Sequence, residues 1–456
     1  MAARLPRLLL TAPASGGGKT TLTVGLLQVL LDRGVRPASF KCGPDYIDPM
    51  FHREVLGVRG GNLDLFFTPP GLVRGFLSEA APSADVALLE GVMGYYDGIA
   101  DSDAASTWRV AEATETPAIL TLSPKGAFLS LAAQVNGFLT FRGDSMLRGI
   151  VLNRCSEPFF QKARPMLERE TGLKVYGHIP DRPEFALDSR HLGLVTPDSV
   201  SDLRGKIAAL ANCLAKTLDM DGLLELAGTA PPVAERLPGV RAVTEAPVRI
   251  AVARDSAFCF YYRENLELLE SLGATLVPFS PLADAELPGN IGGLYLGGGY
   301  PELHAGTLAA NGAMRDSVRE AVAAGLPTVA ECGGFLYLQE WLEDGEGRRH
   351  PMVGALPGSA ANSRGLGRFG YVTVRMERDG LLGAAGEEIR AHEFHYWDST
   401  DNGGDCTAFK AGAERSWPCA QVGDSLYAGF PHLFFPSNPA CAERFVRAAA
   451  LRVGSH

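Results

Sequence analysis

A chain of 456 residues, 46% hydrophobic and 21% charged with 53 glycines, has the composition of an ordinary soluble globular protein of two or three domains, not of a disordered polymer. Its formal net charge of −10 argues against a non-specific nucleic-acid surface while leaving room for a local basic pocket. Eight scattered cysteines with no CxxC pair point to free thiols in a reducing cytoplasm rather than to a disulfide framework or a zinc site.

In chain order, "MAARLPRLLLTAP" carries a short apolar run that leads straight into a glycine loop. It is too brief for a signal sequence and reads as a first strand; no stretch approaches a membrane span. Apolar runs at 5–12, 35–41, 85–90, 117–123, 147–153 and 175–180 alternate with helix-length segments. That alternation predicts βα units and a largely parallel sheet buried on both faces. Residues 202–225 have helical spacing, and the Pro- and Ala-rich stretch 228–247 reads as a linker. A second alternation follows, with strands expected at 248–255, 274–281 and within 292–302, and a helix near 261–272. The expected fold is α/β throughout, in domains 1–227 and 248–456.

The front half carries "LLLTAPASGGGKTTLTVGLL", which runs strand, glycine loop, helix. Phosphate binding needs inward backbone N–H groups, a helix N-terminus, a lysine and a hydroxyl for Mg²⁺. Gly16, Gly17 and Gly18 permit close approach, and Lys19 and Thr20 supply charge and hydroxyl. Pro13 stands where the usual phosphate-loop pattern has its first glycine. In "ADVALLEGVMGYYDG" an apolar strand delivers Glu90 to its C-terminal end, where open α/β sheets bind ligands and a carboxylate can hold Mg²⁺. Asp97 follows on a glycine-bounded loop. "FKCGPDYIDPMFH" places Lys41, Asp45 and Asp48 on a rigid loop after a strand.

The back half carries "PTVAECGGFLYL", a strand-to-helix corner that would hold Cys332 exposed. A cysteine nucleophile acts as thiolate, so its pKa is expected to fall through a helix N-terminus or a base. Of nine histidines, His432 in "LYAGFPHLFFPSNP" is the best-placed base. "LGGGYPE" offers backbone N–H groups suited to an oxyanion hole. In "RAHEFHYW", Tyr396 stands where the metalloprotease HExxH spacing needs its second histidine. His392 and His395 are therefore read as structural or substrate-facing rather than as metal ligands.

Taken together, "KCGPDYIDPMFH", "LLEGVMGYYDG", "SRHLGLVTP", "GGGYPE", "AECGGFLYL" and "HEFHYW", in that order, make the chain resemble the cobyrinic acid a,c-diamide synthase family, including enzymes acting on hydrogenobyrinic acid. The resemblance covers nearly the whole chain. It implies an N-terminal P-loop synthetase domain of the dethiobiotin-synthetase type and a C-terminal class I glutamine amidotransferase domain. It implies ATP and L-glutamine as co-substrates, Mg²⁺ as cofactor, and a corrin or related tetrapyrrole acid as substrate. Neither nucleic acid nor membrane is implied as a partner, and a homodimer is left open. By the same resemblance Cys332 attacks the glutamine carboxamide, His432 raises its nucleophilicity, and Gly298 and Gly299 hold the oxyanion. Gly16, Gly17, Gly18, Lys19, Thr20, Thr21 and Asn153 would bind ATP, with Thr20 and Glu90 at the metal. Lys41, Asp45, Asp48 and Asp97 would surround the activated carboxylate. The chain departs from the family pattern at Ala12 and Ala391, where relatives have glycine, and at Trp397, where they have serine. Many amidotransferases follow the histidine with Pro-Glu, the glutamate orienting the imidazole; here Leu433 and Phe434 follow, so the sequence names a dyad and no orienting carboxylate for it.

The implied reaction explains why one chain would carry both features. ATP makes a carboxylate electrophilic and the thiol frees ammonia from glutamine. Rival readings are a cobyric acid synthase-type amidation, a nickel-sirohydrochlorin a,c-diamide synthase, and a P-loop regulatory ATPase with a silent amidotransferase-like module. The "GPDYIDP" loop and "RHLGL" favour the a,c-diamide reading over the cobyric acid synthase type.

Overall fold

The computed structural model describes residues 3–185, 197–363, 365 and 368–454. The chain divides into two compact units, Met1–Pro238 and Gly239–His456. The "SRHLGLVTP" motif lies outside the described residues except for Pro197.

The first unit is built on a seven-stranded parallel sheet. Its strands are β1 (Arg7–Thr11), β2 (Pro37–Cys42), β3 (Arg59–Leu63), β4 (Val86–Glu90), β5 (Ala118–Leu122), β6 (Leu147–Asn153) and β7 (Lys174–Ile179), in the order β3-β2-β4-β1-β5-β6-β7. β1, β4 and β5 are buried at every position. That is why they read as unbroken apolar runs rather than as alternating ones. Leu5, Leu9, Leu89 and Leu120 face one core and Leu8, Leu10, Leu88 and Ile119 the other. The expected helix at 202–225 is two helices, Pro197–Thr217 and Met220–Ala227. Asp219 separates them, its carboxylate accepting the Gly222 N–H at 2.9 Å as N-cap of the second.

Residues 228–238 lie against this first unit. Buried Arg7 donates to the carbonyls of Thr114 at 2.7 Å and Pro231 at 2.8 Å. Val233 bridges to Ala3, and Leu237 packs so close to Gly75 that a Cβ there would meet its Cδ2 at 2.8 Å.

The second unit carries a six-stranded sheet containing β8 (Val248–Ala253), β9 (Ala274–Phe279), β10 (Gly293–Leu296) and β11 (Thr328–Glu331). Its order is Gln421–Gly423, Leu426–Gly429, β11, β10, β8, β9, parallel except for the first pair. Between β11 and the chain end lie a mixed four-stranded sheet and an antiparallel five-stranded sheet. The latter includes Phe369–Met376, Glu388–Phe394 and the two-residue strand His432–Leu433. Val252, Tyr295 and Val329 from the parallel sheet share one core with Val372, Val374 and Leu433. All eight cysteines are free thiols, and among the described residues no helix is long and apolar enough to cross a membrane.

Candidate functional site

In the first unit the candidate residues converge at the C-terminal ends of β1, β2, β4 and β6. The glycine loop ends at Gly18, whose φ of 95° is left-handed, and the helix Lys19–Asp32 starts at the next residue. Crowding dictates this backbone: a Cβ on Gly18 would sit 2.0 Å from Asn153 Nδ2, and one on Gly17 would sit 2.4 Å from Ala12 Cβ. The methyl of Ala12 thus occupies space that Gly17 must leave open. Lys19 Nζ donates to the carbonyls of Met93 at 2.5 Å and Ala14 at 3.2 Å, tying the loop to the segment after β4. Asn153 donates to the Gly17 carbonyl at 3.0 Å.

Thr20 Oγ1 donates to Glu90 Oε1 at 2.6 Å. Lys41 Nζ donates to the same oxygen at 2.8 Å and to Asp48 Oδ2 at 2.5 Å. Thr20, Glu90, Lys41 and Asp48 therefore form one continuous chain, and the last three are buried. Asp45 sits beside them, its Oδ1 accepting the Ile47 N–H at 2.8 Å. Asp97 Oδ2 accepts the Gly94 N–H at 3.0 Å, and its charge acts on Lys19.

The electrostatics follow from too many acids around few cations. Burial pushes Asp45 up to about 6, helped by the neighbouring charge of Asp48. Burial also raises Glu90. Asp48 is opposed by burial too, yet the ammonium of Lys41 holds it below its ordinary value. Lys41 is raised well above its usual value because Asp48, Glu90 and Asp45 outweigh its own desolvation. Lys19 falls to about 8 through burial and the nearby charge of Lys41. Behind this group, Ser39 Oγ meets His52 Nδ1 at 2.8 Å, and burial holds that ring neutral with a pKa of about 4.

The donor set fits Mg²⁺. Glu90 Oε2 is buried without a hydrogen-bond partner, next to a threonine hydroxyl on the adjoining oxygen. Among the described residues no group of three or more His, Cys, Asp or Glu side chains makes a self-sufficient metal cage. Mg²⁺ at phosphate sites uses one or two protein oxygens together with substrate phosphates and water, so none is needed.

In the second unit Cys332 lies between β11 and the short helix Gly333–Leu338, with φ 46° and ψ −104°. A non-glycine residue in that region is strained, as expected of a nucleophile elbow. Its N–H donates to the Gly429 carbonyl at 2.8 Å. The glycine shelf after β10 lies directly on the elbow: Gly334 N–H donates to the Gly297 carbonyl at 3.0 Å, and a Cβ on Gly333 would lie 3.0 Å from Gly299 N. The same shelf touches His432. A Cβ on Gly298 would lie 2.3 Å from His432 Cε1 and 3.0 Å from its Nε2. Cys332, Gly298, Gly299 and His432 are thereby brought together.

Two expectations for this corner are corrected. The elbow is closed, with Cys332 only 8% exposed. The thiol is pushed well up rather than down, by burial first and then by the charges of Glu302, Glu393 and Glu331, with the Gly333 N–H opposing them. His432 is driven down to about 3 by burial and by His392 and His395. At neutral pH the free centre therefore holds a neutral thiol and a neutral imidazole.

His395 is braced on every side, whereas His392 Nδ1 is buried with no hydrogen-bond partner among the described residues. His395 Nε2 meets Glu393 Oε1 at 2.9 Å, and its Nδ1 donates to the Trp397 carbonyl at 2.6 Å. Its ring stacks on Phe430 at 3.8 Å. Glu393 Oε2 accepts from Trp417 Nε1 at 3.1 Å, and Trp397 Nε1 donates to the Glu343 carbonyl at 2.7 Å.

Sequence reasoning missed three buried residues beside the elbow: Glu331, Tyr295 and Asn265. Glu331 Oε1 accepts the Leu433 N–H at 3.0 Å and Oε2 accepts the Tyr295 hydroxyl at 3.0 Å. Asn265 donates to the Leu433 carbonyl at 2.7 Å and accepts the Phe435 N–H at 2.8 Å. No local pattern joins positions so far apart in the chain.

A P-loop sheet in one unit, and in the other a cysteine elbow and a histidine bordering one glycine shelf, define a nucleotide-binding protein fused to a glutamine amidotransferase. Family profiles agree: the CobQ/CobB/MinD/ParA nucleotide binding domain matches residues 8–195 and the CobB/CobQ-like glutamine amidotransferase domain matches 249–440. Among curated relatives, the cobyrinate a,c-diamide synthase of Caldanaerobacter subterraneus subsp. tengcongensis is 37% identical, covering 95% of this chain and 96% of its own. That of Salmonella typhimurium is 38% identical, covering 98% and 99%, and that of Syntrophotalea carbinolica 39%, covering 97% and 98%. The chain belongs to the cobyrinate a,c-diamide synthase family.

Proposed function

We propose that this chain amidates the a and c acetate carboxylates of cobyrinic or hydrogenobyrinic acid, consuming ATP and taking nitrogen from glutamine. The observation that carries the reading is the presence, in one chain of this family, of the Thr20–Glu90–Lys41–Asp48 chain beside a phosphate loop and of a strained cysteine beneath a glycine shelf and a histidine.

A carboxylate resists exchange of its oxygen for nitrogen because the oxygen is a poor leaving group. Phosphorylation by ATP cures this, and the residues at hand suit the task. Gly16, Gly17, Gly18 and Thr21 border the triphosphate site at a helix N-terminus, Lys19 places an ammonium there, and Asn153 borders the nucleoside side. Thr20 and Glu90 would hold Mg²⁺, which when bound neutralises phosphate charge. Lys41 is the cation poised for the substrate carboxylate, with Asp48 and Asp45 fixing its position and Asp97 at the loop's far side.

The second difficulty is that ammonium is not a nucleophile. Cys332 Sγ adds to the glutamine carboxamide carbon while His432 takes the thiol proton and passes it to the departing nitrogen. Ammonia leaves, and water then releases glutamate from the thioester. Gly298 and Gly299 backbone N–H groups would hold the oxyanion.

The test offers purified protein ATP, Mg²⁺ and glutamine with cobyrinic, hydrogenobyrinic or nickel-sirohydrochlorin acids separately. Mass spectrometry then counts the amides. Two amides on a corrinoid acid support the reading; amidation confined to the nickel tetrapyrrole would move the chain to that substrate. ATP hydrolysis indifferent to all three acids would favour the regulatory ATPase.

A further inference from the structure

The strand that carries the base is only two residues long, His432–Leu433. On one side it pairs with the strand Glu388–Phe394, His432 opposite His392 and Leu433 opposite Ala391. So short an element cannot hold its own geometry, and a catalytic imidazole displaced by about 1 Å can lose on the order of a hundredfold in rate. Its other edge is held by side chains. Glu331 Oε1 accepts the Leu433 N–H, and Asn265 Nδ2 donates to the Leu433 carbonyl, so both polar groups of that residue are bound by buried side chains. Asn265 Oδ1 accepts the Phe435 N–H as well. The Tyr295 hydroxyl, 3.0 Å from Glu331 Oε2, reaches toward Asn265 Nδ2 at 3.5 Å and closes the ring of contacts.

Glu331 is also the residue immediately before the nucleophile, at the end of β11. One carboxyl therefore links the peptide that precedes Cys332 to the peptide that follows His432. The glutamate that many amidotransferases carry two residues after the histidine is missing here, where Phe434 stands. We propose that Glu331, braced by Tyr295 and Asn265, is the positioning residue of this dyad: it sets the His432 backbone against the Cys332 elbow through the Leu433 amide, without touching the imidazole.

This rests on the glutaminase reading above. Burial holds the Glu331 carboxyl up at about 8, so near neutral pH it is the uncharged acid; glutamine keeps the oxygen that accepts the Leu433 N–H, and its NH₂ donates to the Tyr295 oxygen once that hydroxyl turns. The test measures glutamine-dependent and ammonium-dependent amidation in the full-length wild type, Glu331→Gln, Glu331→Leu and Tyr295→Phe, with thermal melting of each. Glu331→Leu is expected to lose at least about tenfold in glutamine-dependent kcat with little change in KM. Glu331→Gln should stay within about threefold, and Tyr295→Phe should fall between them. Ammonium-dependent rates should be unchanged in all three. Were Glu331→Leu not to fold, Tyr295→Phe decides in its place, a wild-type kcat overturning the proposal. Glu331→Gln as impaired as Glu331→Leu, or Glu331→Leu as active as wild type, would also overturn it. A wild type that uses ammonium but never glutamine would instead defeat the glutaminase reading itself.

Discussion

Cys332 shows how far one residue's surroundings can depart from what its sequence context suggests. Two glycines directly after it announce the corner, and the positive φ confirms it. Burial and three carboxylates, none adjacent in sequence except Glu331, then raise the thiol. With His432 lowered to about 3, no thiolate–imidazolium pair exists at rest. Alkylation of Cys332 by iodoacetamide without glutamine should therefore keep rising through pH 9 with no plateau at neutral pH; a plateau reached below pH 7 would show a preformed thiolate. Glu331 supplies a second test. Its folded-state value of about 8 lies above the ordinary 4.5, so between those limits the folded chain binds a proton the unfolded chain lacks, and stability falls as pH rises. Glu331→Gln removes that dependence. Its stability relative to wild type should improve by a few kcal/mol from pH 5 to pH 8, read from urea midpoints at each pH. A gap constant with pH would refute the assignment.

At the scale of elements, legibility in the sequence tracked the environment of each strand. β1, β2, β4, β5, β6 and β7 are internal or well covered and stand out as apolar runs. β3 is an edge strand reading "RGGNL", with no β-branched residue, and carried no signal. Apart from Phe369–Met376 and Glu388–Phe394, the strands between Trp341 and Gly429 are short, with turn residues and mixed burial, so their pairing depends on distant partners. The helix expected over 202–225 concealed a break because apolar spacing continues across it. Asp219 marks that break, capping the second helix and pairing with Lys174 at 2.7 Å across two half-exposed side chains. The cap should dominate: Asp219→Ala is expected to cost about 1 kcal/mol and Asp219→Asn to recover most of it. Equal losses in urea unfolding would assign the effect to the ion pair.

For the molecule as a whole, the candidate residues sort into two centres, one in each unit. Lys19, Thr20, Lys41, Asp48 and Glu90, which the fold brings together from helix starts and strand ends, stand out in the sequence because a phosphate and carboxylate site would draw on those residue types there. Glu331, Tyr295 and Asn265 do not, because their role is to place other groups and appears only once the chain is folded. Amidation by this chain requires an acid-activating centre and a nitrogen-releasing one to act together. The most direct measurement supplies amide-¹⁵N glutamine, ATP, Mg²⁺ and cobyrinic acid, and compares wild type with Cys332→Ala by mass spectrometry. The expected wild-type product carries two ¹⁵N amides, while Cys332→Ala incorporates none from glutamine yet forms the diamide with concentrated ammonium salt. Equal loss of both nitrogen sources in Cys332→Ala, or ¹⁵N incorporation that persists in it, would contradict the account.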